Sequence, residues 1–189
     1  MKFFMTALIS ALLAAQVVPA QSQRARNQSG IPAEEYAIYA AAIGNMFAID
    51  KVSSDSQLKG RLLVIEDRTV KNHFIAVLGK DEGEMLKREF SPTISQETID
   101  DYLAKNAKSH RLTKSFDFKL EYTLIPEGET GSIFESVALS RAGLNSGGNQ
   151  ALVYMQHSCG PLCGGGHYML LVKKKRRWVV KEKFTSWVS

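Results

Sequence analysis

The stretch Phe116–Leu124, FDFKLEYTL, decides the fold class. Phe116, Phe118, Leu120, Tyr122 and Leu124 alternate with Asp117, Lys119, Glu121 and Thr123, the period of two expected of a strand with one buried face. Upstream of it the apolar spacing is helical. Pro32 stands where a first helical residue is favoured, Glu34 and Glu35 lie near the positive end of the helix dipole, and Tyr36, Tyr39, Ala40, Ile43 and Phe47 recur on one face. A second helix reads from the capping-box spacing of Thr93 and Gln96. Glu97, Asp100 and Asp101 lie in its first turns, Ile99, Tyr102 and Leu103 form its apolar face, and Lys105 and Lys108 lie at its end. Asp100 and Asp101 are neighbours, so on a helix their side chains diverge by about 100°. They read as solvated helix charges and not as a facing catalytic pair. Glu84–Phe90 predicts one or two helical turns ended before Pro92. Leu62–Ile65 reads as a short buried strand and Val52–Lys59 as polar loop, while Phe74–Leu78 is too short for periodicity to separate strand from helix.

Downstream of Phe116 the chain is strand throughout. Candidates run over Ile133–Ala142, Gln150–His157, Tyr168–Lys173 and from Trp178 to Phe184 or beyond, with a turn cluster at Pro126–Gly131. The links Asn145–Asn149 and Lys174–Arg177 are short enough for hairpins, so these strands should pair antiparallel in sequence order. The expectation is an α+β fold, N-terminal helices packed on a meandering antiparallel sheet of about four to five strands. Residues 31–189 suit a single domain with an ordinary core.

The N-terminus bears on compartment. Lys2 precedes an almost wholly apolar run, Phe3–Val18, and Val18-Pro19-Ala20 places small residues where a signal peptidase cuts. Residues 1–20 therefore read as a secretory signal peptide and 21–30, polar and without an apolar anchor, as a disordered leader. The expected location is periplasmic or secreted. The competing membrane-anchor reading is weakened by Thr6, Ser10 and Gln16 within the run, and no second long apolar stretch follows. No integral membrane protein is expected after cleavage. The net charge of +5, one less once Lys2 is removed, is too small to imply nucleic acid as a partner.

Several phrases carry a resemblance. LSRAGLN at Leu139–Asn145, QALVY at Gln150–Tyr154, CGPLCGGGHYMLL at Cys159–Leu171 and the closing Trp178 and TSWVS resemble a group of uncharacterised exported bacterial proteins. That group shares a Ser-Arg-x-Gly-x-Asn strand end, a Gln-Ala-Leu-Val-Tyr strand, a Gly-rich turn and a final tryptophan-bearing strand. IEDRT and ETIDDYLAKN fit as well, so the likeness spans most of residues 21–189. It implies export and a shared sheet, and brings no reaction, cofactor or partner. The chain departs from the pattern between Thr130 and Ser136, where it is short. It also carries Lys173–Arg177 where a brief Asp-Gly-like turn would be usual.

The chemistry-bearing residues cluster in HSCGPLCGGGH, His157–His167, which holds both cysteines of the chain. Four readings compete. His157, Cys159, Cys163 and His167 supply nitrogen and sulfur ligands that suit zinc, but structural zinc sites usually separate two short ligand pairs by a dozen or more residues. A redox centre needs a low-pKa thiolate, usually in Cys-x-x-Cys at a helix start, and the spacing here has three intervening residues leading into a strand. A Cys-His nucleophile lacks a visible third group. In an exported chain with two cysteines, a Cys159–Cys163 disulfide stapling a Gly-rich turn is the favoured reading. No metal or other cofactor is expected, and the turn lacks the Gly-Lys-Ser/Thr ending of a phosphate loop.

Three further residues and one charge run complete the candidates. His157 and His167 flank the turn and can face each other across the strand pair, forming a candidate binding surface with Arg141. Arg141 lies on the apparently buried parity with Val137 and Leu139, so it requires a partner such as a carboxylate, a strand end or a ligand pocket. Lys173, Lys174, Lys175, Arg176 and Arg177 read first as a solvated turn that keeps a sheet edge soluble, with contact to an anionic surface as the functional alternative. Trp178 reads as core or sheet-edge packing. The expected function is a non-enzymatic binding or envelope-associated domain. The alternative is a small hydrolase or thiol/metal-dependent enzyme centred on His157–His167 and Arg141.

Overall fold

The structure, a computed structural model, describes residues 30–48, 62–71, 81–117, 120–127, 129, 136–160 and 162–189. Residues 1–29, where a signal peptide and leader are expected, residues 52–59, expected as polar loop, and the segment Phe74–Leu78 lie outside the described residues. In chain order the elements are α1 (Ala33–Met46), β1 (Leu63–Glu66), α2 (Glu82–Phe90), α3 (Gln96–Lys105), β2 (Tyr122–Ile125), β3 (Ser136–Leu139), β4 (Gly143–Leu144), β5 (Gln150–Gly160), β6 (Cys163–Lys174) and β7 (Arg177–Val188). The fold is α+β, with three helices and one seven-stranded, mostly antiparallel sheet among the described residues.

The sheet order is β2-β1-β3-β5-β6-β7, with β4 pairing β5 off this path. From β3 onward the long strands neighbour one another antiparallel in sequence order. The far side differs from a pure meander: β1 is parallel to both β2 and β3. The chain crosses from β1 through α2 and α3 before it enters β2, and such a long connection permits parallel pairing where a tight turn does not.

The FDFKLEYTL stretch is only partly strand. β2 begins at Tyr122, and Phe116 leaves the sheet to pack edge-on against Tyr36 and Tyr122, ring centroids 5.1 and 5.3 Å away. Alternation there reflects an aromatic anchor followed by a short strand. The helices also differ in detail. α3 is capped by Ser95, whose Oγ accepts from Thr98 N at 3.3 Å, not by Thr93. The reason is tertiary: the Gln150 side chain donates to the Thr93 carbonyl at 3.0 Å and accepts from Ser95 N at 2.7 Å, holding the turn so that the helix starts later.

Both faces of the sheet are covered. On one, Ile38, Tyr39, Ala42 and Ile43 of α1 meet Val137, Leu139, Val153, Met155, Met169 and Leu171. On the other, Leu86 and Phe90 of α2 and Ile99 and Tyr102 of α3 meet Leu152, Tyr154, Tyr168 and Leu170. Consecutive residues of β5 and β6 thus serve opposite cores, which is why Ala151–Met155 and Tyr168–Leu171 carry no polar alternation. Each fully buried Leu, Ile or Met side chain contributes roughly 1.5–3 kcal/mol through burial. No helix among the described residues is long and apolar enough to cross a membrane.

Candidate functional site

The β5–β6 hairpin brings the two histidines together. Met155 lies opposite His167 and His157 opposite Gly165, so the histidines are diagonal neighbours on the face that carries Val153 and Met169. Their ring centroids are 5.4 Å apart with planes 13° from parallel. His167 is buried at 6% exposure, and its Nδ1 lies 3.0 Å from Thr185 Oγ1 on β7. Its other nitrogen, Nε2, and Nδ1 of His157 are buried and make no hydrogen bond. Burial, then Lys183 and His157, lower the His167 pKa to about 4, so the ring is neutral at neutral pH. The two histidines do face each other across the strand pair, but His167 lies buried in the sheet and not on an open surface.

Cys159 and Cys163 are joined by a disulfide, with Cα atoms 5.0 Å apart. The stretch around them is not a wide Gly-rich turn. β5 runs to Gly160 and β6 starts at Cys163, so Gly164, Gly165 and Gly166 are strand residues. Their lack of side chains makes room for neighbours: a Cβ on Gly166 would run into the Trp187 indole nitrogen and the Tyr154 hydroxyl. Those two groups bond to each other, Trp187 Nε1 donating to Tyr154 Oη at 2.8 Å, and fasten the end of β7 across β6 to β5. Leu162, beyond the disulfide at the hairpin tip, is 87% exposed.

Arg141 is not at this surface. It is buried, and its guanidinium grips Glu35 of α1 in a fork, Nε to Oε2 at 2.8 Å and Nη2 to Oε1 at 2.6 Å. Glu35 also accepts from the Ala142 amide at 3.1 Å and the Tyr39 hydroxyl at 3.2 Å. Asn106 closes the cluster, accepting from Arg141 N at 2.7 Å and donating to Arg141 O at 2.9 Å. Asp101 accepts from Leu144 N at 2.7 Å, so this carboxylate pins β4 to α3 and is more than a solvated helix charge. No match was found among known protein families, characterised proteins or solved structures. The chemistry of the chain therefore rests on its own geometry.

The basic run divides at Lys173. Its ammonium bonds Glu34 at 2.6 Å and lies over the Trp178 ring, 5.3 Å from the centroid, while Trp178 Nε1 donates to the same Glu34 oxygen at 2.6 Å. The bond from Lys173 holds the Glu34 carboxyl below its usual range. Trp178 is buried, as a core tryptophan should be. The remaining four, Lys174, Lys175, Arg176 and Arg177, are exposed at the β6–β7 tip. Lys175 and Arg176 both have positive φ, 47° and 68°, the pattern of a primed two-residue hairpin turn usually built from Asn or Gly.

Sequence reasoning missed one further polar cluster. Glu82, in the first turn of α2, is buried and accepts from the Tyr168 hydroxyl at 2.6 Å; the Tyr168 ring packs on Tyr154 with centroids 4.8 Å apart. Burial raises the Glu82 pKa, partly offset by hydrogen bonds from Tyr168 and Tyr102. The folded chain thus holds this proton more tightly than the unfolded chain. Its contribution to stability is complete below the unfolded carboxyl value and is lost as pH rises through the raised folded value. Urea titrations between pH 4 and 8 should show stability falling on this account as pH rises. Glu82→Gln, which mimics the protonated acid, should flatten that slope; an unchanged slope would show that Glu82 is not its source.

Proposed function

We propose that the protein is an exported, periplasmic or secreted, non-enzymatic binding domain that attaches to an anionic envelope surface through the tip of its β6–β7 hairpin. The observation that carries this reading is the exposure of Lys174, Lys175, Arg176 and Arg177 on a primed turn whose base is clamped by Lys173, Glu34 and Trp178. Four adjacent cations on a pre-formed turn meet a negatively charged surface without first ordering a loop. Near anionic lipid each Lys or Arg is worth about 1 kcal/mol, so the tip supplies enough for reversible, salt-sensitive attachment. The buried carboxylates Glu35 and Glu82 are engaged by Arg141 and Tyr168, which supports a structural role for them and not a hydrolytic one.

The test is flotation of the full chain with phosphatidylglycerol-containing vesicles against phosphatidylcholine vesicles at low and high salt. Binding confined to the anionic vesicles and released by salt is expected. Replacing Lys174, Lys175, Arg176 and Arg177 together with glutamate should weaken it at least tenfold without changing the melting temperature much, because all four are exposed. Equal binding by the variant, or none by the unmodified chain, would remove the proposal.

A further inference from the structure

We infer that the stacked His157–His167 pair is an acid-operated latch: the last residues of β7, Thr185–Val188, stay on β6 while both rings are neutral and peel away when His167 takes up a proton. The rings lie 5.4 Å apart across β5 and β6, so a charge on one sits beside the other. Nδ1 of His157 and Nε2 of His167 are buried and make no hydrogen bond. An imidazolium carries N–H on both ring nitrogens. Thr185 Oγ1, 3.0 Å away, serves His167 Nδ1, but a proton on Nε2 finds no acceptor, whichever tautomer the neutral ring adopts. A buried donor without a partner costs free energy, and a buried charge costs more.

The described elements around the pair supply no countercharge. β3 and the stretch Tyr36–Met46 of α1 carry no charged side chain, and Glu34 and Glu35, at the far end of α1, are held by Lys173 and Arg141. β5 and the part of β6 up to Val172 contribute no charged group beyond the two histidines themselves. On β7, Glu182 lies opposite Leu170 and so on the other face of the sheet, whereas Lys183 lies opposite Met169 on the histidine face and adds a like charge. Burial first, then Lys183 and His157, hold the His167 pKa at about 4, below the ordinary 6.5. The unfolded or opened segment therefore binds the proton more tightly than the closed one. The latch contributes fully above the ordinary value and loses its hold as pH falls toward and through about 4, a gap worth about 300-fold in the balance of closed to open forms.

The segment that yields is marked by the sheet. β7 is an edge strand, paired only with β6, and the register breaks between Gly166 and His167, leaving Ser186 as the extra residue. Beyond that break the strand is held by Trp187 Nε1 on Tyr154 Oη at 2.8 Å, Ser186 Oγ on Gly166 O at 3.0 Å and Ser189 N on Gly164 O at 3.1 Å. A short terminal stretch on an edge opens at a fraction of the cost of global unfolding, so it can leave while Arg177–Phe184 remains paired.

The experiment is amide hydrogen exchange read by mass spectrometry on the full chain, disulfide intact, at pH 7, 5.5 and 4, with intrinsic exchange rates divided out. Protection of the Thr185–Ser189 peptide should fall at least tenfold between pH 7 and 4, while peptides from Tyr168–Val172 change little. His167→Leu removes the titrating ring and should keep that protection at pH 4. Lys183→Met, a change at an exposed position, removes a like charge from beside the ring and should retain more protection at pH 4 than the unmodified chain, so the test survives if His167→Leu folds poorly. Unchanged protection of the unmodified chain at pH 4, or an equal loss in the unmodified chain and both variants, would overturn the latch. Vesicle attachment by the hairpin tip stands or falls independently.

Discussion

Arg141→Met is expected to destabilise the protein by about 3–5 kcal/mol, a cost set less by the lost bonds than by the charge left behind. Glu35 is 1% exposed, and without the guanidinium fork its carboxylate retains only the Ala142 amide, the Tyr39 hydroxyl and a Lys105 ammonium 3.9 Å away. Removing both charges is a different case. A Glu35→Leu, Arg141→Met pair leaves no orphaned ion and should recover most of the loss, since well-packed apolar replacements of buried ion pairs are often neutral or better. Denaturant melts of the two singles and the double form a cycle that separates pairing from packing. A single substitution costing under about 1 kcal/mol would mean that the pair is solvated in the native state.

Gly143→Ala is expected to cost about 3 kcal/mol, at the upper end for overpacking. A Cβ there would lie 2.6 Å from the Thr98 carbonyl oxygen and would also meet the backbone nitrogen and Cβ of Tyr102. Two of these are backbone atoms of α3, so no rotamer change relieves the clash and the helix itself must lift from β4. Gly148→Ala is the control. Gly148 has positive φ but open space around it, so alanine there should cost only about 1 kcal/mol of backbone strain. Equal effects at the two positions, measured by chemical denaturation, would show that close helix approach is not what Gly143 provides.

How far the sequence reaches depends on the distance over which each feature is encoded. Strands β3, β5, β6 and β7 and their antiparallel order were legible, because hairpin pairing is set by short links and local apolar runs. The disulfide was legible as the favoured of four readings, from the expected export together with a chain that offers each cysteine one partner. The covering of both sheet faces was written in the unbroken apolar runs Ala151–Met155 and Tyr168–Leu171, a signal the search for alternation passes over. The need of Arg141 for a partner could be read from its parity, but not that the partner is Glu35, whose place near the helix start the dipole already accounts for.

By itself, then, the sequence determined the α+β class, the order of the long strands, the staple and a basic hairpin tip, all products of local period, turn length or residue count. Tertiary structure alone decided the parallel placement of β1, the Glu35–Arg141 clasp and the stacking of the His157 and His167 rings across β5 and β6. Those join residues far apart in the chain or depend on register across strands, and period and spacing hold no record of which distant side chains packing will bring within bonding distance.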